Sequence, residues 1–524
     1  MKKAILFMLL VACFASQAQT IQVNGIQTGV WDADTVLVTG DVMVKDSVLV
    51  LPGTVVLFDG FYRISVRMGS SFEALGTEKD SIVFTVADTT GFHYYDNGKG
   101  GWNGFRLINA DHFLLDYCVL QYGKAADTAD RFGGAIYMNR CKDVEIRNST
   151  LRCNFSREQG GAIYGINSAV TMSDCQINEN LVFTKDDTYA LYGGGAQFLK
   201  CDVVMTGMEF RANYGPSCIG GALSLDSCSV TLDRSVFVDN VGINGGGLYL
   251  MRSNHKECKF SNLVFDDNFS YHFGGGFALL DVSPEVSNVL VVNNSSYGVS
   301  CDGIFFYGYS SPKMFNCIIY GNYAPDTTMV LDTAQMWAWT YEETGPEFYN
   351  CLVEGGMKYI HSPENIRVFE NIIDADPMFV DAANHDFRLS PNSPCVDAGS
   401  DLTPQYVLDG FDLAWIRRVS NGRIDIGPYE YSGASVPKYV YTSFAKLIGN
   451  PLCTQSRIEL DCDMEGDVLV TVCSMRGHCV ASKLINISGL RYIEIGGLVD
   501  GLAPGVYLIA LKHKNRICTL KAVR

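Results

Sequence analysis

From Gly133 to Asn322 apolar and polar residues alternate with period two, and no stretch carries the 3.6-residue period of an amphipathic helix. In GGALSLDSCSVTLDRSVFVDN (220–240), Leu223 and Leu225, then Val230 and Leu232, then Val236 or Phe237 mark three short strands separated by turns. Residues 133–154 repeat the design with Ile136 and Met138, Val144 and Ile146, then Leu151 and Cys153.

Two motifs punctuate the alternation. A glycine pair opens each unit: Gly133-Gly134, Gly160-Gly161, GGAQF (194–198), Gly220-Gly221, GGGLY (245–249) and GGGFA (274–278). An apolar residue, two others and an asparagine close it, at Asn154, Asn180, Asn213, Asn240, Asn268, Asn294 and Asn322. The asparagines are 26, 33, 27, 28, 26 and 28 residues apart, the long step carrying an insertion around FTKDDTYALY (183–192). A fixed period in this range means stacked structural units. The glycines are expected to supply positive φ before each strand, since a phosphate-binding loop would occur once and lead into a helix. The asparagines are expected to tolerate left-handed backbone at the turn and to stack their amides along the stacking axis. Three strands per unit, each paired with its equivalent one unit on at about 4.8 Å, describe an all-β, right-handed, single-stranded parallel β-helix of about 27 residues per coil.

The GG[AG][ILF] and FxxN pairs resemble the repeats of the chlamydial polymorphic outer-membrane proteins, which are of the parallel β-helix class. The flanks fit: VLVTGDVMV, LPGTVVLF, ISVRMGSSFEALGT and DSIVFT within 35–85 resemble the opening coils of bacterial right-handed β-helix proteins, and GGWNGFRL (100–107) the coil that follows. DPMFVDAANHDFRLSPNSPCVDAGS (376–400) and IDIGPYEY (424–431) resemble their closing segment. These readings bound a β-helix domain at 19–433 and a linker at 434–448.

Residues 449–524 have a different, turn-broken alternation that predicts a small β-sandwich. Asn450-Pro451, the hairpin from GDVLVTV to Gly477, and Gly505-Val506-Tyr507 resemble the type A C-terminal sorting domain of the Bacteroidetes type IX secretion system. Ser474-Met475-Arg476 departs from that family where an Asp usually stands before the hairpin glycine. The resemblance implies that 449–524 are recognised by the type IX translocon, with the cell surface or the medium as destination. An autotransporter-type barrel would need many strands of 9–11 residues, which this stretch does not contain.

The N-terminus agrees with export. Lys2 and Lys3, the apolar run Ala4–Ala12 and the Ser16-Gln17-Ala18 junction predict a signal peptide over 1–18, with Leu10-Val11-Ala12-Cys13 leaving a lipidated Cys13 as the rival. Beyond it no apolar run is long enough for a transmembrane helix. The net charge of −17 excludes a nucleic-acid partner, having no basic excess to displace counterions from phosphate. The 18 cysteines show no zinc or disulfide-scaffold spacing; Cys141, Cys201 and Cys228 recur at one place in the repeat, as do Cys175 and Cys317, which predicts stacked packing residues. Coil-to-coil disulfides are the alternative.

No catalytic constellation is legible. DD pairs at 186–187 and 266–267 have no companion hydrolase motif, and the eight histidines show no metal spacing. No cofactor is expected beyond Ca²⁺: Asp239 and Asp267 fall on adjacent coils, roughly 5 Å apart, and read either as a Ca²⁺ pair or as an exposed acidic turn column. Two aromatic-rich stretches, HYYDNGKGGW (93–102) and MWAWTYEE (336–343), read as insertions on the solenoid, with Tyr94, Tyr95, Trp102, Trp337, Trp339 and Tyr341 as platforms for a glycan or a surface protein. A polysaccharide lyase or glycoside hydrolase on the same scaffold is the alternative. The triplets Asp34-Thr35-Val36, Asp46-Ser47-Val48 and Asp80-Ser81-Ile82 resemble O-glycosylation sites of Bacteroidetes exports.

Overall fold

The computed structural model describes residues 19–523 except 127–129, 185–190, 254–256, 298–301, 324–333, 342, 420–421, 433–439, 442–444 and short stretches between 449 and 515. The signal peptide with Cys13, the DD pair at 186–187, Asn450-Pro451, Gly477, Gly505 and most of the linker lie outside the described residues. The chain divides into two compact units, residues 1–407 with 412–430, and 431–524 with the short piece 408–411.

The first unit is a right-handed parallel β-helix. Among the described residues, thirty-five strands form one continuous parallel system. In each coil a strand of column A, such as Ile163–Ile166, is followed by one of column B, such as Ala169–Ser173, and one of column C, such as Gln176–Asn178. Each pairs in register with its equivalent on the next coil: Ile163 with Ala196, Val170 with Val203, Ile177 with Phe210. The inward residues of all three columns build one core, in which Phe210, Phe237 and Phe265 stack at 4.7 Å from coil to coil. Aromatic rings at that spacing continue the same repeat that the backbone hydrogen bonds set.

The three expected strands per coil are joined by a fourth, short one between the closing asparagine and the next glycine pair. This column D runs through Lys124–Ala125, Phe155–Ser156 and Leu181–Val182, and again from Leu191–Tyr192 to Ser295–Ser296. The alternation missed it because its strands are too short to show a period.

The asparagines form a buried ladder. The Nδ2 of Asn154, Asn180, Asn213, Asn240, Asn268 and Asn294 each donates to the Oδ1 of the next asparagine at 2.9–3.0 Å. The ladder ends where Asn322 donates to Gln335 Oε1 at 2.7 Å. The expected left-handed asparagine is corrected. The positive φ falls one residue earlier, at Cys153, Glu179, Ala212, Asp239, Asp267 and Asn293, and that turn points the following amide inward.

The two glycines of each pair have different duties. Gly133, Gly160 and Gly220 have φ of 60°, 62° and 77°. Gly134, Gly161 and Gly221 do not, but a Cβ there would strike the carbonyl oxygens of Gly161, Gly194 and Gly246 on the next coil. The recurring cysteines are free thiols, and their sulfur takes part in the stacking: the Cys201 amide donates to Cys228 Sγ at 3.3 Å, while the Cys228 amide donates to Ser253 Oγ at 3.1 Å. Cysteine and serine interchange at this place because each offers an acceptor to the preceding coil's turn.

After Glu370 the chain turns back and crosses its own coils. Asn350, Asn316 and Asn288, left-handed residues of the B–C turns, hold it through Asn350 Nδ2 to the Ala398 carbonyl at 2.8 Å, Asn316 Nδ2 to Thr403 Oγ1 at 2.8 Å and Asn288 Nδ2 to the Gly427 carbonyl at 2.9 Å. Buried Arg418 donates to Asn262 Oδ1 and pairs with Glu430 at 2.9 Å. The closing segment is thereby a strap along one corner of the solenoid.

The second unit packs a five-stranded sheet, centred on Asp467–Ser474, Val506–His513 and Arg516–Val523, against a three-stranded antiparallel one of Ala445–Ile448, Arg457–Leu460 and Tyr492–Glu494. Val468, Val470, Val472, Ile458, Ile493, Ile509 and Leu511 share their core, so this unit is a small β-sandwich. Among the described residues no helix is long and apolar enough to cross a membrane.

Candidate binding face

The stretch MWAWTYEE is not an insertion. Met336–Thr340 is a regular column A strand paired with Ile304–Gly308. Period two therefore decides its side chains: Met336 and Ala338 enter the core, while Trp337 and Trp339 point outward beside Phe305 and Tyr307 of the preceding coil. The ring planes of Trp337 and Trp339 lie 10° apart with centroids at 5.2 Å; Trp339 meets Tyr307 edge-on at 5.5 Å, and Tyr341 meets Tyr309 at 4.9 Å.

These rings have two depths. Phe305 and Tyr249 are buried, and Phe273 of column D packs on Phe305 at 4.7 Å, in a cluster with Met251 and Ala278. Trp337 rests on this base and donates from Nε1 to Ser362 Oγ at 3.3 Å. Trp339, Tyr341 and Tyr309 stand above it at 48%, 45% and 57% exposure. A hydroxyl contact with Tyr307 raises the Tyr341 phenol above its ordinary value, so the Tyr341 hydroxyl stays neutral at physiological pH.

Charged groups line the same edge one coil apart. Arg252 closes on both carboxylate oxygens of Asp226, and Asp281 accepts the Tyr309 amide at 2.9 Å. Both carboxylates are thus held in place by hydrogen bonds from neighbouring coils. The edge offers flat apolar platforms flanked by fixed hydrogen-bonding groups, the composition of a binding face.

The other aromatic stretch is dispersed. Trp102, expected as a platform, is wholly inside the core: its ring stacks on Phe58 at 4.4 Å and its Nε1 donates to the Gln121 carbonyl at 2.9 Å. It fills the volume where the glycine-pair turn begins, and the expectation for it is corrected. Tyr95 packs on Phe155 at 4.8 Å, leaving Tyr94 exposed beside His93. Buried Lys124 fixes this loop by donating to the carbonyls of Tyr94 and Lys99, both at 2.8 Å.

The acidic turns are also partly rearranged. Asp239 pairs with Arg211 at 3.4 Å. Asp267 is instead grouped with Asp266, which is buried, and with His385 from the returning strap, whose Nδ1 lies 2.6 Å from Asp266 Oδ2. Asp266 was visible in the sequence only as half of the DD pair at 266–267, and its meeting with His385 carried no signal, because 119 residues separate them.

A family model described as the right-handed β-helix region matches residues 87–283. The match covers a little over a third of the chain and stops before the coils that carry Tyr307, Trp337 and Trp339. No curated protein matches the chain.

Proposed function

We propose that the chain is an exported surface protein whose β-helix binds a glycan along the aromatic edge of column A, with Trp339, Tyr341 and Tyr309 as the contacting rings. The observation that carries this reading is the two-tier arrangement: an outer row of exposed rings held over a base of buried Tyr249 and Phe305 with partly buried Phe273 packed on it. Rigid, pre-positioned aromatics lose little entropy on binding, and sugar rings present apolar faces that match them. The signal-peptide pattern of 1–18 and the sorting-domain resemblance of 449–524 support export through the type IX machinery, with the cell surface or medium as destination.

The test is a glycan array probed with the full mature chain, followed by titration of the best hit. Trp339→Ala is expected to weaken binding by about 5- to 150-fold, the 1–3 kcal/mol typical of a stacking platform. Tyr94→Ala is expected to leave it unchanged. An array without hits, or a hit indifferent to Trp339→Ala, removes this face from consideration. A polysaccharide assay run alongside decides the enzymatic alternative, which requires chain cleavage abolished by one carboxylate substitution.

A further inference from the structure

We propose that Asp266, Asp267 and His385 form a site for a divalent first-row transition-metal ion, with Zn²⁺ as the probe, which clips the returning strap to the solenoid. Each residue offers one ligand atom, and the three atoms lie within 4.8 Å of one another. His385 Nδ1 is 2.6 Å from Asp266 Oδ2 and 3.9 Å from Asp267 Oδ2. Ligands about 2.0–2.2 Å from a zinc ion sit roughly 3–3.5 Å apart, so these separations bracket the spacing that a metal would impose. Asp266 and Asp267 stand on the solenoid; His385 is half-exposed, and a small swing of its ring completes the geometry.

The residues are already positioned. Asp266 ends the column C strand Val264–Asp266, is buried, and has its other oxygen, Oδ1, held by Asn293 Nδ2 at 2.9 Å. Such an outer partner orients a ligand and leaves its second oxygen to the ion. Asp267 and His385 both adopt left-handed backbone, at φ of 52° and 58°. For His385 this follows the short 3-10 turn Ala382–Asn384, which presents the imidazole to the coil.

The donor chemistry selects the ion class. An imidazole nitrogen with two carboxylate oxygens suits Zn²⁺ and its neighbours, whereas Ca²⁺ and Mg²⁺ favour all-oxygen shells. This differs from the Ca²⁺ pair expected of Asp239 and Asp267: Asp239 belongs to Arg211, and a histidine takes its place. The site lies on the column C side, apart from the outward rings of column A, and its proposal stands independently of glycan binding.

The experiment is isothermal titration of ZnCl₂ into the full mature chain stripped with chelator, with limited proteolysis of the strap as second readout. One Zn²⁺ per chain and slower cleavage within 376–400 are expected. His385→Ala, which alters a half-exposed side chain and is checked for an intact fold by circular dichroism, is expected to lower affinity by at least about tenfold and abolish the protection. Asn293→Ala is expected to lower it by about tenfold through loss of orientation, and Asp239→Asn, which removes a neighbouring charge but no ligand atom, to lower it less than His385→Ala does. Absence of saturable uptake overturns the proposal. So does uptake indifferent to His385→Ala, which would place the ion elsewhere, or Ca²⁺ binding as tight as Zn²⁺, which would mean an all-oxygen site.

Discussion

At the scale of single residues, the asparagine ladder and one buried aspartate carry the sharpest consequences. Asn240 donates to Asn268 and to the Phe210 carbonyl, and accepts from Asn213, all in the buried interior. Asn240→Ala strands these partners and is expected to cost about 1–3 kcal/mol, measured as a lowered midpoint in urea with unchanged slope. Asp302 stands where the second glycine of a pair would, buried, with Oδ1 accepting from Ser296 Oγ at 3.1 Å and Oδ2 unpartnered among the described residues. Burial pushes its carboxyl up to about 6. A folded pKa above the unfolded one means the associated stability is full below about pH 4 and lost as pH rises through about 6. Melting curves from pH 4 to pH 7 are expected to show the wild type losing up to about 3 kcal/mol relative to Asp302→Asn. Parallel curves for the two proteins would contradict this.

At the scale of elements, a polar side chain decides where an irregular loop sits. Lys124, on a two-residue column D strand, reaches the carbonyls of Gly91, Tyr94 and Lys99, and burial pulls its pKa down to about 8. Lys124→Met keeps the volume but leaves three carbonyls without their donor. Faster hydrogen exchange and proteolysis within 88–101 are expected, with little change in columns A to C. The aromatic edge obeys a different rule. Because Met336–Thr340 is regular strand, the ring positions are set by pairing with Ile304–Gly308, and substitutions at outward positions alter the face without disturbing the core.

For the whole molecule, the β-helix and the sandwich have separate cores. Stability in a stacked solenoid is a sum of coil and interface contributions, whereas a small sandwich unfolds as one cooperative unit. Calorimetry of the full chain is expected to resolve two transitions. The smaller, from a unit of roughly 100 residues, should carry about 70 kcal/mol of enthalpy, and deleting 431–524 should remove that transition alone. A single merged transition that vanishes with the deletion would show that the two units unfold together.

What the sequence determined by itself is the repeat. Period-two alternation names the inward residues, glycine pairs and asparagines mark the turns, and these signals are legible because each depends on neighbours within one coil. The same reasoning explains its errors. HYYDNGKGGW and MWAWTYEE looked alike as aromatic-rich stretches, yet Trp102 fills the core while Trp339 faces outward, since that choice depends on which strand lies one coil away. The left-handed residue falls one place before each asparagine because the amide must point inward to reach its neighbour. Only tertiary structure decided that the strap returns across the B–C turns and lays His385 on Asp266, a contact between segments whose spacing no period encodes.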